Sequence, residues 1–158
     1  MKREILLLGD ERLYDISEEV EEEELSFIKE VVLDLHDTMM EFRKIYGVGR
    51  AIAAPQIGVK KRLIYMHIDK PVVFINPKLE YNDREMMEVM DDCMSFPNLL
   101  VKVNRYKRCT IKYRDIDFKE CVMDLEGDLS ELLQHEYDHL DGILATMRAV
   151  DNKSFYLK

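Results

Sequence analysis

Apolar residues recur every three or four positions between residues 25 and 46. The repeating positions are Leu25, Ile28, Val32, Leu35, Met39, Phe42 and Tyr46. This spacing aligns side chains along one side of an α-helix. Gly47 follows, and glycine is a typical helix terminator. The pattern predicts one long amphipathic helix, and the acidic run at residues 18–24 is interpreted as a solvated connection or as the entry to it.

Further along the chain, shorter runs have the alternation and β-branched content that is typical of β-strands. They lie at residues 62–68, 72–75, 99–103, 109–115 and 118–125. Pro71, Pro77 and Pro97 stand at their borders, where a strand tolerates a missing backbone donor. Antiparallel sheets are the expected arrangement.

A second helix is predicted near the C-terminus. Its apolar stripe consists of Leu129, Leu132, Leu133 and Leu140. Gly127 and Asp128 are a start signal, and Gly142 is a stop signal. We therefore predict an α+β fold of one domain, residues 1–158, in which antiparallel β-sheets surround this central helix and the long N-terminal helix packs outside.

Composition limits the classes of function. A chain of 158 residues with 47% hydrophobic content has enough core for one domain. The net charge of −9 argues against broad contact with nucleic acid, which requires basic patches. The apolar segment at residues 5–8 is too short for a signal peptide, and no run approaches a membrane span. Three cysteines, an odd number, suit a reducing compartment, so we expect a cytoplasmic protein without membrane partners.

The predicted second helix carries a motif with metal chemistry. His135 and His139 are four residues apart, so both imidazoles lie on one helix face, with Glu136 beside them as a candidate general base. The same letters also occur on solvated helix faces that bind nothing. A catalytic zinc-like site usually has three protein ligands and one open position. A third ligand must therefore come from elsewhere in the chain.

Cys93 is the strongest candidate for that ligand. It lies in a polar cluster that interrupts an apolar stretch and is closed by a proline, which indicates a strand running into a turn. Cys109 and Cys121 lie in alternating strand-like runs, where cysteine is usually a small buried hydrophobe. His36 and His67 fall inside a helical and a strand pattern, and a structural role is favoured for both.

A third patch lies at residues 49–58 and reads Gly-Arg-Ala-Ile-Ala-Ala-Pro-Gln-Ile-Gly. It precedes the Cys93 loop and the HExxH motif, which is formed by His135, Glu136 and His139 on the second predicted helix. In this order the three resemble the signatures of the peptide deformylase family. The flanking segments at residues 9–13, 74–77 and 139–142 extend the resemblance over nearly the whole chain. It implies a metal-dependent hydrolase that removes the formyl group from N-formylmethionyl peptides or nascent chains and releases formate.

The resemblance also implies roles for individual residues. Cys93, His135 and His139 match the metal ligands. Glu136 matches the catalytic acid/base, while the Gln56 side chain and the Met94 backbone N–H match the donors to the reacting oxygen. One divalent metal is expected: the family implies ferrous iron in the cell, although a Cys-His-His site also suits zinc, nickel or cobalt.

The same resemblance predicts a pocket for the substrate side chain. Its expected members are Arg50, Ala51, Ile52, Val89, Asp128, Glu131 and Leu132. Arg50 and Glu131 are charged, and because an unpaired buried ion is costly, they are expected to pair across the pocket rim. Ala51 replaces a family glycine, and Asp91 replaces a glutamate. Asp91 is expected either to pair with Arg105 or to form a solvated surface pair of little energetic value.

Alternative functions remain open. One is another metallohydrolase on the same scaffold, such as a peptidase or a deacylase for a different acyl group. The other is a metal-free relative that only binds peptides. The intact set of candidate ligands weighs against the metal-free relative.

Overall fold

A computed structural model describes residues 1–158 and contains two long helices and eight strands. The helices are α1 (Leu25–Tyr46) and α2 (Asp128–Leu140). The strands are β1 (Ala51–Ala53), β2 (Leu63–His67), β3 (Pro71–Glu80), β4 (Met86–Asp91), β5 (Leu99–Tyr106), β6 (Arg108–Arg114), β7 (Glu120–Glu126) and β8 (Phe155–Leu157). Neither helix combines the length and the apolar character needed to cross a membrane.

The strands form two antiparallel sheets. The larger sheet has the order β1-β2-β3-β6-β7, and the smaller has the order β4-β5-β8. α2 contacts both sheets. It packs on β1, β3 and β7 of the larger sheet and on β5 of the smaller one. The predicted α+β class, with antiparallel sheets around the HExxH helix, is confirmed.

The larger sheet separates the two helices. Successive side chains of a strand point to opposite faces. Leu63 and Tyr65 of β2 accordingly belong to the core cluster that contains the buried face of α1. Ile64 and Met66 belong to the cluster that contains Leu133 of α2. α1 thus covers the outer face of this sheet, as predicted, and α2 fills the inner one.

Helix limits agree with the local signals. α1 ends at Tyr46, and Gly47 adopts a left-handed conformation with φ of 74°. α2 begins directly after Gly127. The acidic run finishes in a single 3-10 turn, Glu22–Glu24, that leads into α1.

The strands differ more from the prediction. β3 continues past Pro77 to Glu80 because the register shifts between Ile75 and Lys78, which lets the strand accommodate a residue that cannot donate. β4 is the strand that was expected to run into the turn at Cys93. β1 and β8 were not predicted, and each has only three residues.

Candidate active site

The loop after β4 and the middle of α2 bring the three candidate ligands together. The Nε2 atom of His139 lies 3.3 Å from Cys93 Sγ and 3.2 Å from His135 Nε2. All three ligand atoms lie within 4.8 Å of one another, and all three residues are buried. The four-residue spacing on α2 places the two imidazoles side by side. Cys93 follows the end of β4, a strand of the smaller sheet.

This cluster fits a divalent metal. With metal–nitrogen bonds of about 2.0 Å and tetrahedral angles, two ligand nitrogens lie about 3.3 Å apart. The separation of the two Nε2 atoms is close to that value. One sulfur and two imidazole nitrogens converge with no protein cation between them, which is the donor set of a zinc- or iron-type site.

A buried network orients His135, one of the three candidate ligands. Its Nδ1 atom lies 3.1 Å from Asp91 Oδ2, which favours the tautomer that leaves Nε2 free to bind a metal. Arg105 donates to Asp91 over 2.7 Å and to Asp138 over 2.8 Å. Arg148 donates to both oxygens of Asp138 and extends the network toward the surface.

This geometry decides between the two expectations for Asp91. The residue pairs with Arg105, and the two are only 4% and 2% exposed, so the alternative of a solvated surface pair is wrong. Burial by itself would raise the pKa of Asp91, but His135 and Arg105 lower the pKa to about 2. Asp91 is therefore a charged, fixed acceptor behind His135.

Glu136 lies beside the ligands and is 4% exposed. Its Oε1 atom is buried without a hydrogen-bond partner in the chain. Burial raises the pKa of Glu136 to about 7, although the neighbouring His135 partly opposes this rise. A carboxyl group with such a pKa can both accept and return a proton near neutral pH.

Gln56 is held in a fixed orientation by its neighbours. It lies in a single 3-10 turn, Ala54–Ile57, that follows β1. Its Oε1 atom accepts from the Ala53 backbone over 3.0 Å. Its Nε2 atom donates to Ser95 Oγ over 3.1 Å and lies 3.5 Å from Cys93 Sγ. The amide donor thus faces the ligand cluster, and Ser95 is a partner that the sequence did not indicate.

Glu136 and Gln56 both line a cavity of about 500 Å³. Of the residues expected in the side-chain pocket, its wall contains Arg50, Ala51, Glu131 and Leu132. Met94 also lines it, and the backbone N–H of Met94 makes no hydrogen bond within the chain. Further lining residues that sequence reasoning missed are Phe42, Arg43, Val48, His67, Ile68, Asp92 and Lys158. No local motif marks these residues, because the fold gathers them from separate elements.

Three expected pocket residues lie elsewhere. Ile52 is fully buried in the core on the α1 side, because alternation along β1 turns it away from the face that Ala51 presents. Val89 packs against a separate hydrophobic cluster that includes Cys93, Phe96 and Val101. Asp128 is the first residue of α2, and its side chain is 86% exposed.

The expected pair between Arg50 and Glu131 is also wrong. Arg50 Nη1 lies 3.9 Å from Asp128 Oδ2 instead, and no ion pair joins it to Glu131. Both members of the observed pair remain solvated at the rim, so neither loses much hydration. Glu131 is left without a partner on the cavity wall.

The other candidate ligands remain outside the cluster. His36 Nδ1 lies 2.7 Å from the Tyr65 hydroxyl, in agreement with a structural role. Cys109 is buried near Ser130, and Cys121 lies on β7. His67 lines the cavity but does not join the ligand cluster.

Known proteins share this sequence and architecture. A sequence model of the family described as polypeptide deformylase matches residues 2–155. The chain belongs to the peptide deformylase family. A peptide deformylase of Brachyspira hyodysenteriae is 37% identical over 153 residues, which cover 90% of this chain and 78% of that protein. A peptide deformylase of Treponema pallidum is 35% identical over 155 residues, which cover 95% of this chain and 89% of that protein.

Solved deformylase structures have the same fold. The crystal structure of peptide deformylase from Thermotoga maritima matches with a TM-score of 0.87 at 29% identity and covers 96% of this chain and 99% of that one. A class I type b enzyme from Acinetobacter baumannii with Met-Ala-Ser bound matches with a TM-score of 0.85 at 26% identity, over 94% and 98% of the two chains.

Proposed function

We propose that this chain is a metal-dependent hydrolase that removes the formyl group from N-formylmethionyl peptides and nascent chains. The observation that carries the proposal is the convergence of Cys93, His135 and His139 beside Glu136 and Gln56 at one cavity. The Met-Ala-Ser peptide bound to the Acinetobacter deformylase has the sequence of a deformylated product and supports this choice of substrate.

Cys93, His135 and His139 would hold one divalent metal. When bound, such an ion polarises a carbonyl and lowers the pKa of water to near 7. We propose ferrous iron in the cell, as the family resemblance implies, although zinc, nickel and cobalt suit the same ligands. Asp91 keeps His135 in the tautomer that can bind the ion.

The proton steps belong to Glu136. Its carboxylate accepts a proton from the water that attacks the formyl carbon. The Gln56 amide and the Met94 backbone N–H donate to the oxygen that becomes negatively charged. Glu136 then gives the proton to the departing nitrogen, the C–N bond breaks, and the products are formate and a peptide with a free amine.

Formate release tests this function directly. Protein purified without oxygen and loaded with metal is given formyl-Met-Ala-Ser, and formate and free amine are both measured. We expect them to appear in equal amounts. Acetyl-Met-Ala-Ser and unmodified Met-Ala-Ser are the controls for a broader deacylase and for a peptidase. Cleavage of either control without release of formate from the formyl peptide would overturn the proposal.

The identity of the metal has its own test. A ferrous site with a thiolate ligand is sensitive to oxygen, since both the iron and Cys93 can be oxidised. We expect activity to decay in air and to persist under argon, whereas zinc-loaded protein should behave the same in both. Equal stability of the native enzyme in air and argon would favour zinc or nickel.

We also propose a cytoplasmic location. The odd number of three cysteines suits a reducing compartment better than a disulfide framework. The acidic net charge of −9 gives no reason to expect direct nucleic-acid contact.

A further inference from the structure

Three buried polar residues of α2 form a stripe that faces the smaller sheet. They are Ser130, Gln134 and Asp138, and each is 6% exposed or less. Side chains four residues apart lie one above the other on a helix, so the three share one face. Gln134 and Asp138 directly precede His135 and His139, so this stripe runs beside the two imidazoles. A rotation of the helix that moves the stripe also moves the imidazoles.

Gln134 bonds to both polar groups of the Tyr106 backbone, at the end of β5. Its Oε1 atom accepts from the Tyr106 N–H over 3.0 Å, and its Nε2 atom donates to the Tyr106 carbonyl over 2.8 Å. One side-chain amide thus satisfies a strand residue as a neighbouring strand would. The same Nε2 atom lies 3.0 Å from the Ser130 carbonyl and 2.9 Å from its hydroxyl oxygen, which fixes the amide to its own helix.

The bonds of Asp138 have a different character. Asp138 accepts from the side chains of Arg105 and Arg148, whose rotatable bonds let them follow a small movement of the helix. The main chain of a paired strand cannot follow in this way. Gln134 therefore fixes the position of α2 relative to β5 more strictly than Asp138 does.

β5 connects this contact to the third candidate ligand. It pairs with β4 from Tyr106 opposite Met86 to Val101 opposite Asp91, and Cys93 lies two residues beyond the end of β4. The imidazoles of the ligand cluster thus come from α2, and the thiol comes from a loop that continues the smaller sheet. The separation between the thiol and the imidazoles depends on how α2 sits on this sheet.

We propose that Gln134 is a positioning residue that sets the rotation and register of α2 on the smaller sheet, and so holds the two imidazoles at the distance from Cys93 that one metal ion requires. This role rests on the proposed metal-dependent function and deepens it. Gln134 does not line the cavity, so it touches neither the reacting atoms nor the peptide. Its effect passes through the positions of His135 and His139.

The experiment compares metal affinity in Gln134→Met and Ser130→Ala. Gln134→Met keeps the length of the side chain but leaves the Tyr106 N–H without its partner. Ser130→Ala is the matched control, because it removes a buried hydrogen bond to the same Tyr106 carbonyl and leaves both bonds from Gln134 to Tyr106 in place. Competition with a chelator measures the zinc dissociation constant. We expect it to rise about tenfold in Gln134→Met, the lower end of the effect of groups that orient metal ligands, and to stay unchanged in Ser130→Ala.

A spectroscopic measurement shows whether the ligand geometry itself changes. Cobalt suits the same ligands, and its absorption reports the coordination geometry and the bond to the thiolate. The cobalt-loaded Gln134→Met protein should show a weaker thiolate band than the unchanged protein, whereas Ser130→Ala should match the unchanged protein. A Gln134→Met protein that is less stable in urea but has normal zinc affinity and a normal cobalt spectrum overturns the positioning role.

Gln134→Glu is the second variant, for the case in which Gln134→Met does not fold. It keeps the shape of the side chain and the acceptor for the Tyr106 N–H but loses the donor to the Tyr106 carbonyl. Its zinc dissociation constant should therefore exceed that of Ser130→Ala, and equal constants overturn the role. Formate release by the unchanged protein judges the deformylase function separately. Its absence overturns that function, while a Gln134-dependent metal affinity still supports the positioning role.

Discussion

At the residue scale, Glu136 combines burial with a carboxylate oxygen that has no hydrogen-bond partner in the chain. Removing its acidity while keeping its shape separates proton transfer from metal binding. Glu136→Gln should retain stoichiometric metal, because none of the ligand atoms changes. Its kcat should fall by about 10²–10⁴, the usual contribution of a general acid/base. Metal content and formate release measured on the same sample check this, and near-normal turnover would assign the proton steps to another group.

Asp91 provides a second test at this scale, because it contacts the candidate ligand His135 and would act on a bound metal only through that residue. Asp91→Asn removes the charge that orients the imidazole, so the metal dissociation constant should rise about 10–100-fold. Competition with a chelator measures this constant.

The matched control for Asp91 is Asp138→Asn. Asp138 also accepts from buried Arg105, but it makes no hydrogen bond to a ligand imidazole. Both variants should lose stability because Arg105 keeps one carboxylate partner fewer. Metal affinity should fall only in Asp91→Asn. An equal fall in both variants would mean that the effect passes through Arg105 and not through His135.

At the element scale, the position of α2 depends on what packs against its C-terminal end. The Leu140 carbonyl accepts from Ser17 N over 2.9 Å and from Arg62 over 3.0 Å, so distant parts of the chain satisfy this end of the helix. Gly142 follows, with φ of 72°, and a Cβ atom there would lie 2.3 Å from the Tyr14 carbonyl oxygen. This glycine is needed for both conformation and space.

Gly142→Ala should therefore destabilise the fold more than Gly47→Ala. Gly47 ends α1 at nearly the same φ, but nothing lies within 4 Å of a Cβ atom there. The left-handed conformation alone costs about 1–2 kcal/mol, and overpacking adds about 1–3 kcal/mol at Gly142. Urea unfolding of the two variants measures the difference. Similar losses would indicate that the Tyr14 segment moves away at little cost.

Elements were predictable to different degrees for a physical reason. The limits of α1 and α2 follow from helical periodicity and flanking glycines, which are local in sequence. β8 derives its strand conformation from pairing with residues far along the chain, such as Leu157 with Leu99, and β1 has only three residues, which pair with β2. Their own residues contain little signal, so periodicity does not find them.

At the scale of the whole molecule, the ligand cluster joins two parts of the fold. Cys93 follows a strand of the smaller sheet, whereas His135 and His139 belong to the helix inside the larger one. Metal binding should therefore stabilise the folded chain, by about 2.7 kcal/mol when the free metal is at 100 times its dissociation constant.

Unfolding with metal and with a chelator measures this stabilisation. Cys93→Ala should lose the difference between the two conditions. Cys121→Ala is the control, because its thiol lies on β7 outside the cluster, and it should keep the difference. A full metal-dependent shift in Cys93→Ala would rule out its thiolate as a ligand.

The sequence by itself determined the helices, the α+β class, the family and the motif residues that meet at the cavity. These features depend on local periodicity and on ordered short motifs. Only the tertiary structure decided which charges meet: Arg50 lies near Asp128, Asp91 is buried with Arg105, and Glu131 is left alone. Strand alternation likewise turned Ile52 away from the cavity. Such pairings depend on distances of a few ångströms between separate elements, and residue order does not contain those distances.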